Sequence, residues 1–165
     1  MTPNKEDYLK CIYEIGSRHK KITNKEIAQL MQVSPPAVTE MMKKMLAEEL
    51  LVKDKKAGYL LTDLGLRLVS DLYRKHRLIE VFLVNHLGYS TDEIHEEAEV
   101  LEHTVSERFV ERLDAMLQYP KTCPHGGTIP AKGELLDEEN QLTLEEAPAP
   151  GDYIIKRCLL YTSPS

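Results

Sequence analysis

Apolar residues recur at helical spacing along most of the chain, interrupted once by a short strand-like pattern. Thr2-Pro3 reads as a cap with proline in the first turn, opening a helix that runs to about Ile15 and stops at Gly16. Thr23 and Glu26 form a capping box for a short helix ending near Met31. Ser34 followed by Pro35 starts another, with Val38, Met41, Met42, Met45 and Leu46 along one face. Leu51-Val52 and Tyr59-Leu60-Leu61 are short strand candidates, and Lys53 to Gly58 reads as a charged hairpin tip. Thr62-Asp63 caps a long helix ending near Leu87-Gly88, and Thr91 or Asp92 starts a further helix to about Leu117. Tyr119 to Gly133 is rich in Pro and Gly and is expected to be loop. Ala147 to Gly151 reads as a linker and Asp152 to Arg157 as a first strand. The fold class is mainly α: a winged helix-turn-helix domain over 1–63, then a helical domain over 64–147. Residues 148–157 open a third domain, and 158–165 read as a non-native tail.

Charge divides the same way. Residues 1–75 carry 14 Lys/Arg against 10 Asp/Glu, and residues 76–165 carry 7 against 17. The net charge of -6 therefore conceals a basic front half able to face phosphate and an acidic back half that favours cations. The most apolar stretch, Leu78 to Leu87, is broken by Glu80, Asn85 and His86, so no membrane span is expected. Cys11, Cys123 and Cys158 are an odd, scattered set rather than a disulfide framework, which suits a cytoplasmic protein.

The helix, turn, helix and basic hairpin over residues 25–61 have the order of a module that reads double-stranded DNA. Burying the Val38/Met41/Met42/Met45 stripe turns Pro36, Thr39, Glu40 and Lys43 outward. Ser34 and Pro36 stand at the helix N-terminus, suited to phosphate or base edges; Thr39 suits either. Lys43, Lys44, Lys53, Lys55 and Lys56 are candidate phosphate contacts, against the alternative of a solubilising lysine face.

The helix after residue 91 carries a second pattern. Ile94, Ala98, Leu101 and Val105 make an apolar stripe, and His95, Glu99, Glu102 and His103 stack on its flank. Carboxylates crowded beside a core repel one another unless a cation joins them. His76 and Glu80 are a further pair one turn apart, and Cys123 and His125 lie in the following loop. Oxygen and nitrogen donors suit Mn2+ or Fe2+, while affinity order and Cys123 favour Zn2+. A salt-laced solvent helix is the plainer alternative. Cys11 reads as a packed thiol, and His19 and His86 as surface histidines.

Together, Thr2-Pro-Asn-Lys-Glu-Asp-Tyr8, Val33-Ser-Pro-Pro-Ala-Val-Thr39, Leu72-Tyr-Arg-Lys-His-Arg-Leu-Ile-Glu80, Glu97-Ala-Glu-Val-Leu-Glu-His103 and Cys123-Pro-His-Gly126 resemble the diphtheria-toxin-repressor/manganese-transport-regulator family, in its streptococcal manganese-repressor branch. The resemblance implies a metal-binding dimerisation domain after the winged helix and an SH3-like third domain, of which 148–157 would be the truncated start. It implies a primary activating site of Asp7, Glu99, Glu102 and His103. His76, Glu80 and His95 match ancillary positions, and Glu80, Cys123 and His125 a second site completed from the third domain. Asp7 and Glu99 stand where iron-responsive relatives carry Met and Cys, which hardens the site towards Mn2+. Lys10 stands where binuclear relatives carry a Glu ligand, which argues against that two-metal cluster.

The expected function is an Mn2+-responsive repressor of metal-uptake genes, binding palindromic operator DNA as a homodimer. The surplus of apolar residues at Leu78, Ile79, Val81, Phe82 and Leu83 points to a dimer seam or to a small core. The alternative is a metal-independent winged-helix regulator sensing a small molecule or redox state through Cys11 or Cys123. A metallohydrolase would need an open coordination position and a general base; the Glu-x-x-His here lacks the preceding histidine of His-Glu-x-x-His, so no enzyme is expected.

Overall fold

A computed structural model of the chain describes residues 4–18 and 21–136; the expected strand at 152–157, the tail and His19 lie outside them. The described residues form α1 (Lys5–Ser17), α2 (Asn24–Leu30), α3 (Pro35–Ala47), β1 (Leu51–Asp54), β2 (Gly58–Leu61), α4 (Asp63–Leu87), α5 (Ile94–Glu102) and α6 (Glu107–Met116). They fall into two compact units. One comprises residues up to Leu72 with Lys132–Leu136, and the other Tyr73–Ala131, so α4 contributes to both.

In the first unit α1 is capped at Asn4 rather than at Thr2-Pro3. The Asn4 side chain accepts from Asp7 N–H at 3.1 Å, and the Asp7 carboxylate accepts from Asn4 N–H at 2.7 Å. This reciprocal box satisfies two backbone donors, which a proline in the first turn does not do. The helix also passes through Gly16 to Ser17. Thr23 and Ser34 cap α2 and α3, accepting from Glu26 N–H and Ala37 N–H, which at α2 is one arm of the expected box. The turn between these helices closes with Gln32 at φ 53° and Val33 N–H returned to Ala28 O at 3.1 Å.

The core of this unit comprises Leu9, Ile12 and Ile15 of α1, Ile27 of α2, Val38, Met42 and Met45 of α3, and Leu51 of β1. The hairpin is longer than the sequence suggests, because Lys53 pairs with Tyr59 and Asp54 with Gly58. Asp54 shortens the tip: its carboxylate accepts from Lys56 N–H at 2.7 Å and Ala57 N–H at 2.6 Å. These bonds hold its carboxyl below the usual carboxylate range. The tip of the wing is tied to the α1–α2 loop, with Ile22 N–H donating to Ala57 O at 2.8 Å. Gly58, at φ +83°, is required there, since a Cβ would lie 2.1 Å from Ile22 O. Lys132–Leu136 returns to the first half of α4, where Leu136 N–H donates to the buried Ser70 hydroxyl at 2.8 Å.

In the second unit the helix expected to continue to Leu117 breaks in two. His103 caps α5, Thr104 and Val105 both return their N–H to Leu101 O, and Ser106 caps α6 through Phe109 N–H. Val105 still packs against the core, but from a turn. The break arises because the Ser106 hydroxyl supplies a helix start that β-branched Thr104 and Val105 do nothing to oppose.

Leu78, Ile79, Val81 and Leu83 are buried in this unit's own core, with Ile94, Ala98, Val110, Leu113, Cys123 and Ile129. These four therefore cannot form a dimer seam. Phe82 is only partly buried, and its ring stacks on exposed His86. Arg74 of α4 pairs with Asp114 of α6, both largely buried, and Lys75 pairs with Glu107 at 2.7 Å. Removing one partner of a buried pair leaves an uncompensated charge. Asp114→Ala should therefore lower stability by about 3 kcal/mol, measured by urea unfolding.

Candidate metal centre

One turn of α4 sets the geometry. His76 and Glu80 project from the same face and are both buried. His76 Nδ1 lies 2.6 Å from Glu102 Oε2, and its Nε2 lies 3.1 Å from Glu80 Oε1. A neutral imidazole has a single N–H and cannot donate to both carboxylates. Positive charge at this point, on the ring itself or on a cation beside it, is what lets both carboxylates be satisfied. His95 Nδ1 adds a further donor atom 3.2 Å from His76 Nε2 and 3.9 Å from Glu80 Oε1.

Glu80 is shared. His76, Glu80 and His95 bring their ligand atoms within 4.8 Å of one another, and so do Glu80, Cys123 and His125. His125 Nδ1 lies 3.1 Å from the same Glu80 oxygen, and its Nε2 donates to Thr91 O at 3.1 Å. Burial opposes ionisation of Glu80. Hydrogen bonds from His76 and His95, the charge on His76 and the Cys123 S–H together outweigh it, holding the carboxyl below the usual range. Burial pushes the Cys123 thiol up to about 11, with the charge and hydrogen bond of Glu80 adding to it.

The α5 residues lie at different depths. Glu102 is 2 % exposed, whereas the side chains of His95 and Glu99 are 57 % and 50 % exposed. His95 Nε2 reaches Glu99 Oε1 at 3.3 Å, and His103 Nε2 lies 3.5 Å from Glu102 Oε1. A run of short contacts therefore joins Glu99, His95, His76, Glu102 and His103. Asp7 sits in the first turn of α1, in the first unit. The donors fit a divalent cation: carboxylate and imidazole throughout, with one thiol.

The outward face of α3 carries exposed Ser34, Pro36, Thr39, Glu40, Lys43 and Lys44, and the wing carries exposed Lys53, Lys55 and Lys56. The Thr39 hydroxyl is engaged within the unit, donating to Pro35 O at 3.0 Å and accepting from Asn24 Nδ2 at 3.2 Å. Sequence reasoning missed the Thr91 carbonyl, which accepts from His125, and the Arg77 guanidinium, which donates to Thr128 O. Neither carries a spacing signal.

The fold and these two faces define a winged-helix protein with a cation-binding helical unit. Residues 1–59 match the family described as "Iron dependent repressor, N-terminal DNA binding domain", and residues 62–131 that described as "Iron dependent repressor, metal binding and dimerisation domain". The chain is 33% identical over 118 residues to the HTH-type transcriptional regulator MntR of Geobacillus kaustophilus (strain HTA426), covering 72% of this chain and 83% of that protein. It is 34% identical over 151 residues to the iron-dependent repressor IdeR of Mycobacterium tuberculosis (strain ATCC 25618 / H37Rv), covering 87% of this chain but 66% of that one. The crystal structure of ScaR with bound Zn2+ superposes with a TM-score of 0.87 at 82% identity, over 94% of this chain and 72% of that chain. The apo form of ScaR, described as a manganese-activated repressor, gives 0.86 at 83% identity, over 92% and 72%. The chain belongs to the iron-dependent repressor family of DNA-binding, metal-dependent transcriptional regulators, not to a family of enzymes. No helix among the described residues is long and apolar enough to cross a membrane.

A cation that takes Cys123 as thiolate must displace its proton. At pH 8, well below the thiol's value of about 11, Zn2+ binding should release one proton at this residue. Calorimetry in buffers of different ionisation enthalpy should show that proton in the wild type and its loss in Cys123→Ser.

Proposed function

We propose that this chain is an Mn2+-activated repressor that binds palindromic operator DNA as a homodimer in the cytoplasm and controls metal-uptake genes. The observation that carries it is buried His76 held between the carboxylates of Glu80 and Glu102, an arrangement suited to a nearby cation. The manganese-activated description of ScaR, at 83% identity, supports the choice of metal. Fe2+ and Zn2+ remain competitors for the same donors.

In this reading 1–63 is the DNA-binding domain, 64–147 the metal-binding and dimerisation domain, and 148–157 the start of a third. Asp7, Glu99, Glu102 and His103 would hold the activating ion, an assignment that rests on the sequence resemblance. His76, Glu80, His95, Cys123 and His125 form the ancillary group. When bound, the cation would add positive charge beside these carboxylates. Its effect on DNA affinity depends on differential binding to the DNA-competent arrangement; a ~100-fold preference gives about 2.7 kcal/mol.

On the DNA side, Ser34 and Pro36 approach the backbone or base edges at the start of α3. Thr39 offers its methyl to a thymine, because its hydroxyl proton goes to Pro35 O. Glu40 faces the groove, and Lys43, Lys44, Lys53, Lys55 and Lys56 neutralise phosphate. The redox alternative is disfavoured by both described thiols. Burial raises Cys11 to about 12 and Cys123 to about 11, so neither presents the reactive thiolate near neutral pH.

Operator binding is measured with Mn2+ and in chelator, for wild type and Glu99→Ala. Mn2+ should tighten wild-type binding on the order of 100-fold, and Glu99→Ala should lose most of that gain. Equal affinity in chelator would sink the proposal. Separately, Lys53→Ala should reduce the slope of log affinity against log salt by about 1 per subunit, with little change in operator preference.

A further inference from the structure

We propose that Arg77 is a positioning residue for the Glu80–Cys123–His125 set, clamping the loop that carries two of its ligands onto α4. The proposal rests on reading that set as cation-binding. The loop is short and internally closed: Cys123 N–H donates to Gly127 O at 2.9 Å, Gly126 N–H donates to Cys123 O at 2.8 Å, and Thr122 bridges Thr128. Closure shapes the loop but does not place it against Glu80.

Burial of Cys123 and Ile129 brings the loop to the core, and Arg77 adds the directional hold. It stands one turn before Glu80 on α4 and is 2 % exposed. Its guanidinium donates to Thr128 O, and its Cζ lies 4.7 Å from the centre of the Tyr73 ring, which holds the planar group from one side. Gly127 lies against the guanidinium so closely that a Cβ there would sit 2.8 Å from Arg77 Nε. The glycine has no need of unusual backbone freedom, because it is absent from the positive-φ positions. Its side chain is missing because the guanidinium occupies that space. The carbonyl bond, the ring and the close approach together fix the height of the loop on α4, and with it the reach of Cys123 and His125 to Glu80. A lysine in place of Arg77 keeps the charge but loses the planar fork and the ring stacking.

The test titrates the full chain with Co2+ and follows the thiolate-to-cobalt charge-transfer absorption, which reports Co–S bond formation as the Cys123 proton passes to buffer. The wild type should show this band and Cys123→Ser should not. Arg77→Lys and Gly127→Ala, which disturb the same contact from opposite sides, should each weaken band formation by about 10-fold or more. Asp114→Ala, which breaks a buried ion pair in the same unit away from the loop, controls for loss of stability and should leave the titration unchanged. No band in the wild type removes the cation-binding reading of the set, and the clamp with it. A wild-type band, with both Arg77→Lys and Gly127→Ala titrating within twofold of it, overturns the clamp alone. So does an equal weakening in Asp114→Ala.

Discussion

The second unit is organised around one electrostatic constraint: a buried imidazole with a carboxylate on each side. Burying two carboxylates beside a single His76 is costly unless positive charge accompanies them. Glu102, on α5, must reach His76, on α4, so its bond at 2.6 Å fixes how deep the end of α5 lies against α4. Glu80 must then satisfy its remaining lone pairs, and it does so with His95 from α5 and with His125 and Cys123 from the loop. Two separate stretches of chain, α5 and the loop, are drawn to one carboxylate of α4.

The apolar core makes that convergence possible without itself being part of it. Leu78, Ile79, Val81 and Leu83 flank Glu80 in sequence, and Ile94 and Ala98 flank His95. Cys123 and Ile129 pack into the same core from the loop. Each ligand-bearing segment is therefore anchored by apolar burial one or two residues from its polar group. Non-directional packing brings the segments together, and directional bonds then select the register.

Much of this was legible in the chain. The caps at Thr23, Ser34 and Thr62 and the α3 stripe depend on local chemistry, and the structure follows them at Val38, Met42 and Met45, while Met41 is only half-buried. The break between α5 and α6 was missed because an apolar stripe through Val105 reads the same whether that residue is helical or in a turn. The hairpin was read too short because the Asp54 carboxylate closing its tip leaves no periodic trace. Helical spacing placed His95, Glu99 and Glu102 on one flank but said nothing of depth. Depth depends on how α5 lies against α4, which joins residues 26 positions apart. The run at Leu78 to Leu83 was ambiguous for the same reason: apolar surplus does not say which partner covers it.

The sharing of Glu80 also constrains which ion the site can favour. The Irving–Williams order would give any nitrogen and oxygen site to Zn2+ ahead of Mn2+. Here the soft donor, Cys123, is held as a thiol by burial and by the carboxylate it would have to join, with its value near 11. A thiophilic ion that takes that sulfur must displace its proton. The hard donors carry no such proton penalty on the carboxylate side, since Glu80 is already held in its charged form. On the proposed ligand set, this proton cost would offset part of the softer metal's advantage.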